Sequence, residues 1–216
     1  MSKADTKEKI LETASELFAT SGYHGASIRD IAKKAEVNLA AVNYHFKNKD
    51  GLFAAVILRS KALFIEEVTA LDDGKISAFD MAMSIQQVYK NHVNEFRNGF
   101  ALFLSGEGEN VMKEIFANSQ DFGPPGINVF RKVLKRNYPD KSMVAIEWAS
   151  RAILSQMSHK TLLTQTPMFQ VICDKSPKDY SFEIFEVFLA ETVQAILDRL
   201  ENSGQELEAK ITNLNS

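Results

Sequence analysis

The residues best suited to chemistry lie between positions 38 and 49. Asn43 carries a side-chain amide that can both donate to and accept from the edge of an adenine base. Tyr44 and His45 follow it directly, and with the ammonium group of Lys49 they suit the phosphate oxygens of a nucleic acid backbone. These residue types predict recognition of a nucleic acid by hydrogen bonds and charge.

Two short helices around a tight turn would have to position these groups. The first shows the i, i+3, i+4, i+7 spacing of one buried helix face, in Ile28, Ile31, Ala32 and Ala35. Ser27 and Asp30 form a capping pair at its start. Residues 35–37 make a short connection, and Asn38 is a good cap for a second helix that runs to about Phe46. Helices joined by so few residues must cross steeply.

The second helix has one apolar and one polar face. Val42 and Phe46 are spaced i, i+4 and can face inward, which leaves small and polar residues outward. This pattern predicts a helix-turn-helix whose second helix enters the major groove of DNA. We expect base contacts from Asn38, Leu39, Ala40, Ala41 and Asn43. We expect phosphate contacts from Ser27, Arg29, Tyr44, His45, Lys47 and Lys49.

A further helix at the N-terminus completes a three-helix module. Its apolar stripe consists of Ile10, Leu11, Ala14, Leu17 and Phe18, and Gly22 can adopt the positive φ that ends a helix. This helix is predicted to contribute to the hydrophobic core of the module and not to read DNA. Its lysines at 3, 7 and 9 have two open interpretations, either contact with flanking phosphates or a solvated charged face.

These residues carry a resemblance to a known family. An N-terminal helix, then Gly22-Tyr23, then residues 27–32 (SIRDIA), then residues 44–46 (YHF) followed by Lys49, resembles the tetracycline-repressor (TetR) family over residues 5 to 60. Many family members have a second Tyr or Trp where this chain has Asn43, so Asn43 is a candidate for reading a base instead. Beyond residue 75 the chain resembles the family only in being predicted to be helical.

The resemblance implies a homodimeric regulator, most simply a repressor. A small molecule that enters a second helical domain would then release the protein from its operator. Geometry independently favours a dimer, because one recognition helix reads few base pairs and twofold pairs place two helices about 34 Å apart or more. The expected target is double-stranded DNA with an imperfect palindrome.

Charge is divided unevenly along the chain. The 216 residues carry a net charge of −3, yet the segment through Lys61 has 10 Lys or Arg against 7 Asp or Glu. The remainder has 15 against 21. Positive charge therefore lies where DNA is expected, and the acidic remainder argues against unspecific coating of DNA.

Composition argues against other classes of protein. The single cysteine, Cys173, provides neither a disulfide framework nor a CxxC metal site and is expected to be a small buried hydrophobe. The four histidines lack metal-ligand spacing, and no HExxH, GxSxG or phosphate-loop pattern occurs. We therefore predict no enzyme, no catalytic residue, no metal and no cofactor. Neither a signal pattern nor a membrane-spanning stretch occurs, so we expect a soluble, cytoplasmic protein without membrane contact.

All regular elements are predicted to be helices, so the fold class is all-α. We expect a helix-turn-helix domain at 1–48, a connecting helix at 49–71 ended by Asp72-Asp73-Gly74, a helical effector-binding and dimerisation domain at 72–203, and a frayed tail at 204–216. The connecting helix would transmit domain shifts to the recognition helices. Ser77 and Asp80 cap the next helix, which is expected to break at Asn98-Gly99.

The last two helices, about 142–163 and 181–200, are apolar around much of their circumference. A helix that is apolar on more than one side is buried on more than one side, which predicts a four-helix dimer interface. The predicted interface residues are Ile146, Ile153, Met157, Phe185, Phe188, Leu189, Val193 and Ile196. The segment between these helices, 165–180, contains two prolines and is expected to be a mobile loop.

An effector pocket is harder to locate from sequence. Its candidate residues are apolar or aromatic with few polar groups, namely Gln86, Tyr89, His92, Phe96, Phe103, Met112, Phe116 and Trp148. The same residues describe an ordinary helical core, and Trp148 equally suits the interface. A mostly apolar ligand is the expectation. The alternative is a DNA-binding dimer without an effector, whose C-terminal domain serves dimerisation or protein recruitment.

Overall fold

The structure is a computed structural model that describes residues 3–104, 110, 111, 113 and 123–212. Every regular element among these residues is a helix, which confirms the predicted all-α class. The helices are α1 Lys3–Gly25, α2 Ile28–Lys34, α3 Leu39–Phe46, α4 Lys49–Ala70, α5 Ala78–Asn91, α6 Val93–Leu104, α7 Ile127–Asn137, α8 Met143–Leu163, α9 Pro167–Lys175 and α10 Phe182–Thr212.

The chain divides into two compact units. The first gathers residues up to 63 and the described residues between 94 and 113, and the second gathers 64–93 and the residues from 123 onward. Helix α4 is one continuous element whose residues through Leu63 belong to the first unit and whose later residues belong to the second.

The first unit is built on the apolar stripe of α1. Ile10, Ala14 and Phe18 are buried against Ile31 of α2 and Val42 of α3, as the periodicity predicted. Gly22 has φ 73° and separates the long part of α1 from its final turn at Gly25.

Ion pairs tie the surface of α1 to neighbouring elements of the same unit. Lys9 pairs with Glu36 at 2.7 Å, and Glu36 occupies the α2–α3 turn with φ 53°. Lys34 of α2 pairs with Glu16 at 3.0 Å. Lys9 therefore has a partner inside the unit, and the side chain of Lys3 lies outside the described residues.

The second unit packs α5, α7, α8 and α10 around one core. Ser77 caps α5 by accepting from the backbone N–H of Asp80 at 3.0 Å, as its sequence predicted. Ser142 caps α8 in the same way at Ala145. Gly126 is the N-cap of α7, and its φ of 86° and its close approach to Val68 favour glycine there.

The predicted break at Asn98-Gly99 is wrong. Helix α5 instead ends at Asn91, and α6 runs through both residues to Leu104. Gly99 faces Ser60 of α4, where a Cβ would be 3.8 Å from the serine Cβ, an ordinary contact, so the packing tolerates glycine there without requiring it. A glycine within a helix costs about 1 kcal/mol relative to alanine, which tertiary packing can offset.

The segment expected to be a mobile loop between 165 and 180 contains helix α9. Thr166 caps it by accepting from the Phe169 N–H at 3.1 Å, and Pro167 occupies its first position. Proline is favoured there because its missing N–H has no helical partner. Pro167, one of the two prolines in the predicted loop, therefore starts a helix.

The last helix is also longer than expected. The sequence predicted a helix to about residue 200 followed by a frayed tail from 204, yet α10 continues to Thr212. Residues 205–210 are Gln, Glu, Leu, Glu, Ala and Lys, all good helix formers that offset one glycine. The tail predicted to fray at 204–216 thus begins with helical residues. Among the described helices, none is both long and apolar enough to cross a membrane.

Candidate functional site

Helix α3 presents the face that the sequence predicted. Val42 and Phe46 are buried, with 0% and 5% of their surface exposed. Leu39, Ala40 and Asn43 are exposed on the other side, and Ala41 is half-buried. The helix thus keeps its small and amide-bearing side chains outward while two apolar anchors fix its orientation.

Two predicted contact residues also serve as helix caps. The Asn38 Oδ1 accepts from the Ala41 N–H at 2.7 Å, which leaves the amide Nδ2 as the group that can donate to a ligand. The Ser27 hydroxyl accepts from the Asp30 N–H at 3.1 Å and donates to its carboxylate at 2.5 Å. A hydroxyl has one proton, so a phosphate contact by Ser27 would have to displace Asp30.

Tyr44 projects from the end of this face with 68% of its surface exposed. Its ring meets the His45 ring edge-on at 5.2 Å between centroids, and His45 also lies 5.9 Å from the buried Phe46 ring. The contacts restrict both side chains at the C-terminal end of α3. The exposed Arg29 lies on α2.

Lys49 is held in place by an aromatic ring that the sequence did not single out as functional. Its Nζ lies 4.4 Å from the centroid of Tyr23, a cation–π contact. The Tyr23 hydroxyl donates to the Asp50 carboxylate, and burial together with this carboxylate raises the pKa of Tyr23 to about 12. Tyr23 thus fixes Lys49 and Asp50, the first two residues of α4. In the sequence, this role was indicated only by the Gly22-Tyr23 pair that forms part of the family resemblance.

The turn between α3 and α4 contains a residue in an unusual conformation. Lys47 has φ 65° and ψ −56°, while its N–H donates to the Asn43 carbonyl at 2.9 Å. Asn48 then caps α4 by accepting from the Gly51 N–H at 2.8 Å. A positive φ is costly for a residue with a Cβ, so the exposed Lys47 is strained.

This strain allows the charge of Lys47 to be separated from its conformation. We expect Lys47→Gly to be more stable than Lys47→Ala by about 1 kcal/mol, because glycine adopts positive φ without the steric cost. The free energy of unfolding, measured in urea, checks the difference. Both variants lose the same charge and should weaken DNA binding alike. Equal stability, or a more stable alanine variant, would contradict the assigned strain.

Gly51 in the first turn of α4 lies against the end of α3. A Cβ placed on Gly51 would overlap the carbonyl oxygen of Phe46, and both atoms belong to the backbone or are fixed to it. The absence of a side chain thus allows α4 to approach α3 closely. Sequence alone gave no signal for this role, since a glycine in a helical pattern ordinarily indicates only lower propensity.

Residues 10–56 match the family model described as bacterial regulatory proteins of the tetR family. This segment contains most of α1, all of α2 and α3, and the caps and turn described above. This segment of the chain is a helix-turn-helix of the tetR family. Its predicted resemblance is thereby confirmed, and the family consists of transcriptional regulators with a DNA-binding helix-turn-helix and not of enzymes.

Curated relatives agree with the family over the same segment. The Probable HTH-type transcriptional regulator YttP of Bacillus subtilis is 47% identical over 55 residues, which are 26% of this chain and 27% of that protein. The IcaR negative transcriptional regulator of the biofilm operon icaADBC in Staphylococcus epidermidis is 32% identical over 60 residues, 28% of this chain and 32% of that protein. The chain thus matches between a quarter and a third of these relatives' lengths.

Solved structures extend the likeness in fold to nearly the whole chain. A bacterial regulatory protein in the tetR family from Rhodococcus RHA1 has a TM-score of 0.62 at 22% identity, covering 93% of this chain and 98% of its own. HlyIIR, a hemolysin II transcriptional regulator, has a TM-score of 0.56 at 21% identity, covering 90% and 98%. At these identities the likeness concerns the fold alone.

The residues predicted to line an effector pocket do not all fall in one unit. Phe96 is buried in the first unit, with its ring 6.3 Å from that of Phe100. In the second unit, Tyr89 is fully buried and donates to the Pro125 carbonyl at 2.6 Å. His92 contacts Glu67 at 2.5 Å. The predicted pocket thus stays a prediction, and the Phe103 side chain, Met112 and Phe116 lie outside the described residues.

Gln86 belongs to a polar cluster within the second unit. Its Nε2 donates to Thr161 at 3.2 Å, and its Oε1 has no hydrogen-bond partner among the described residues. The neighbouring Lys160 is buried beside Glu186, which lies 2.6 Å from its Nζ and also pairs with Lys90. Burial lowers the pKa of Lys160 against the opposing effect of Glu186. The cluster joins α5, α8 and α10 by polar contacts.

The structure describes an open surface cleft elsewhere in the second unit. It has a volume of about 380 Å³ and is lined by Arg131, Lys132, Lys135, Arg136 and Met143. Arg136 is paired with Asp72, and Lys135 donates to two backbone carbonyls. The cleft shares no residue with the predicted pocket.

Five of the eight predicted interface residues are already buried within the single chain. These are Ile146, Ile153, Met157, Leu189 and Val193, each with at most 5% of its surface exposed. They pack α8 against α10 inside the unit, so the interface prediction must be corrected for them. Phe188 is 58% exposed, and Phe185 and Ile196 are half-buried. Trp148 is half-buried on α8, 6.0 Å from the Arg199 guanidinium on α10.

Proposed function

We propose that this tetR-family protein is a dimeric, sequence-specific repressor of transcription that a small, mostly apolar ligand releases from a palindromic operator. The exposed face of α3 carries the proposal, because it sets small residues and the Asn43 amide outward over buried Val42 and Phe46. Such a face can approach base edges in the major groove. Repression is supported by IcaR, which is a negative regulator.

The proposed contacts divide into two classes. Leu39, Ala40 and Asn43 would read bases, and the Asn38 amide would donate beside them. Tyr44, His45, Lys47 and Lys49 would hold phosphates at the C-terminal end of α3 and the start of α4, with Arg29 on α2. Only the first class would determine sequence preference. The proposed site of action is the cytoplasm, where the DNA of a bacterium lies.

Asn43 tests this division. We expect Asn43→Ala to relax base preference at one position in each half-site by about 1 to 3 kcal/mol, the discrimination of one good amide contact. Competition binding with operators altered one base pair at a time measures this preference. Tyr44→Ala should instead weaken all of these operators equally. If Asn43→Ala has the same base preference as the unaltered protein at every position, Asn43 does not read a base.

The proposed dimer uses the outward faces of α8 and α10. Among the residues predicted for it, Phe188 is exposed and Phe185 and Ile196 are half-buried within one chain, as is Trp148, and these are the proposed contacts. A twofold pair would place two α3 helices on one side of the DNA. The proposed domain division is 1–48 for DNA binding and 72–203 for effector binding and dimerisation, with 49–71 between them.

A gel-shift titration tests the proposal as a whole, using the DNA upstream of the protein's own gene. We expect saturable, salt-sensitive binding of one dimer or more to a palindromic site, and loss of binding when one half-site is scrambled. Binding that ignores the half-sites would contradict the proposal.

A second candidate function is a dimeric DNA-binding protein without an effector. Tyr89 favours it, because a predicted pocket residue is fully buried and hydrogen-bonded in the core. Release of operator DNA by apolar small molecules would distinguish the two. A panel of such compounds that leaves operator binding unchanged at saturating concentration favours the second candidate.

A further inference from the structure

The face of α7 that lines the open cleft carries four positive charges, and α7 contains no carboxylate. The four residues are Arg131, Lys132, Lys135 and Arg136. They form two like-charged pairs at i, i+4, which destabilise a helix. The helix dipole favours cations in the last turn, where Lys135 and Arg136 lie, but not in the middle, where Arg131 and Lys132 lie. The dipole therefore accounts for only half of the basic face.

Basic residues are concentrated around this cleft, against the acidic balance of the chain beyond Lys61. Residues 131–141 contain 5 of the 15 Lys and Arg residues in that part of the chain and 1 of its 21 Asp and Glu residues. That one carboxylate, Asp140, is paired with Lys141 at 3.0 Å. The cleft thus has a positive surrounding, which attracts anions, and a concave surface strengthens this effect.

Carboxylates from neighbouring elements compensate part of the charge. Asp72 pairs with Arg136 at 2.6 Å. Arg131 donates to Glu147 at 2.7 Å, and Glu147 also accepts from Arg151. Since one carboxylate carries one charge, Glu147 balances only one of these two arginines. The cations on this side of the second unit therefore outnumber the carboxylates that pair with them.

Lys132 and Lys135 carry the charges that no carboxylate balances. Lys132 is exposed and forms no ion pair among the described residues. Lys135 donates to the carbonyl oxygens of Pro139 at 2.9 Å and Lys141 at 2.6 Å, which fix its ammonium group without neutralising it. An ammonium group has three protons, so one of them stays available to a ligand.

The cleft also has an apolar part. Met143 at the start of α8 lines it and is 57% exposed, and the adjacent Val144 is 42% exposed. The aliphatic stems of lysine and arginine can cover apolar surface, and a guanidinium group stacks on flat rings. The volume of about 380 Å³ suits a small molecule. A nucleic acid would instead need a basic track that extends along its backbone.

We propose that this cleft binds a small organic anion with a flat apolar body. Lys132 and Lys135 would bind the anionic group, and Met143 and the stem of Arg131 would contact the apolar body. The cleft shares no residue with the predicted effector pocket. The inference therefore does not depend on release of DNA by an apolar ligand.

Carbon-13 NMR of the methionine methyl groups tests the site in the full-length protein. Met143→Leu identifies the Met143 signal among those of the seven methionines. The probe is 1-naphthyl phosphate, and we expect it to shift the Met143 signal saturably with a dissociation constant of about 1 mM or lower, as the size of the probe allows. No saturable shift of this signal would overturn the inference.

Two further compounds test the assigned ligand class. 1-Naphthol has the same rings without the charge, and inorganic phosphate has the charge without the rings. We expect each to bind at the Met143 signal at least about tenfold more weakly than 1-naphthyl phosphate, because each lacks one of the two kinds of contact. Equal affinity of either compound contradicts the proposed class.

Lys132→Glu tests the basic side of the cleft. Lys132 is exposed, so the variant should fold, which an unchanged melting temperature checks. We expect it to bind 1-naphthyl phosphate at least about tenfold more weakly, the effect of losing one charge-assisted hydrogen bond. The matched control is Lys178→Glu, an equal change of charge at an exposed lysine between α9 and α10, which should bind the probe like the unaltered protein. Equal affinity of the two variants overturns the inference.

Discussion

The double variant Tyr44→Ala, Lys49→Ala is expected to bind operator DNA at least about a hundredfold more weakly, because each dimer loses two charge-assisted and two hydroxyl contacts to phosphates. Tyr44 is among the most exposed aromatic side chains described, and Lys49 is held by the Tyr23 ring at the start of α4. Tyr44 at the end of α3 and Lys49 at the start of α4 are both restricted by ring contacts, which lowers the entropic cost of a phosphate contact.

Salt dependence shows whether these contacts are to phosphates. The dimer loses one Lys49 from each protomer. The slope of the logarithm of the binding constant against the logarithm of salt concentration should therefore fall in magnitude by about 2, since each phosphate contact contributes about 0.9. The loss should be equal for all operator sequences, because phosphates carry no sequence information. Fluorescence anisotropy at several salt concentrations measures both quantities.

Lys75→Ala is the matched control for charge. Lys75 is exposed in the loop before α5 and carries the same charge, so its removal changes the net charge of the protein equally. We expect operator affinity and salt slope close to those of the unaltered protein. A double variant that binds like this control would show that Tyr44 and Lys49 are not phosphate contacts.

Gly51→Ala is expected to destabilise the first unit by about 1 to 3 kcal/mol, the usual cost of overpacking. The new methyl group would overlap the Phe46 carbonyl oxygen, so α4 must move away from α3 or the turn must distort. Either change displaces the recognition helix relative to Lys49. Operator affinity should therefore fall together with the free energy of unfolding in urea.

Gly99→Ala is the matched control for this substitution. Gly99 is also a helical glycine of the first unit, but a Cβ there meets its nearest neighbour at 3.8 Å, which is ordinary contact. Helix propensity should then dominate and stabilise the protein by about 0.5 to 1 kcal/mol. The same chemical change thus has opposite expected signs at the two sites. A Gly51→Ala variant as stable as Gly99→Ala would refute the close approach of α3 and α4.

The sequence was most informative where structure is determined locally. The predicted caps Ser27, Asn38 and Ser77 each precede the helix that they were expected to start. The inward orientation of Val42 and Phe46 also followed from spacing alone. A cap and an amphipathic face depend on residues within one or two turns, so the sequence contains nearly all the information needed.

Features that depend on distant residues were not predictable in the same way. Periodicity showed that α8 and α10 are apolar on several sides but could not show which neighbour covers each side, and five predicted interface residues cover one another within the chain. The roles of Gly51 and Tyr23 arise from contacts between helices. The segment 165–180 was predicted to be a loop containing two prolines, and the sequence alone did not show that Pro167 occupies the first position of a helix.

Selection of binding sites from a library of random duplexes tests the central claim most directly. If α3 reads DNA in a dimer, the purified protein should enrich an imperfect palindrome whose two half-sites lie one helical turn or more apart, and Asn43→Ala should lose preference at one position in each half-site. Enrichment of a single, unrepeated site, or of no site at all, would contradict the account.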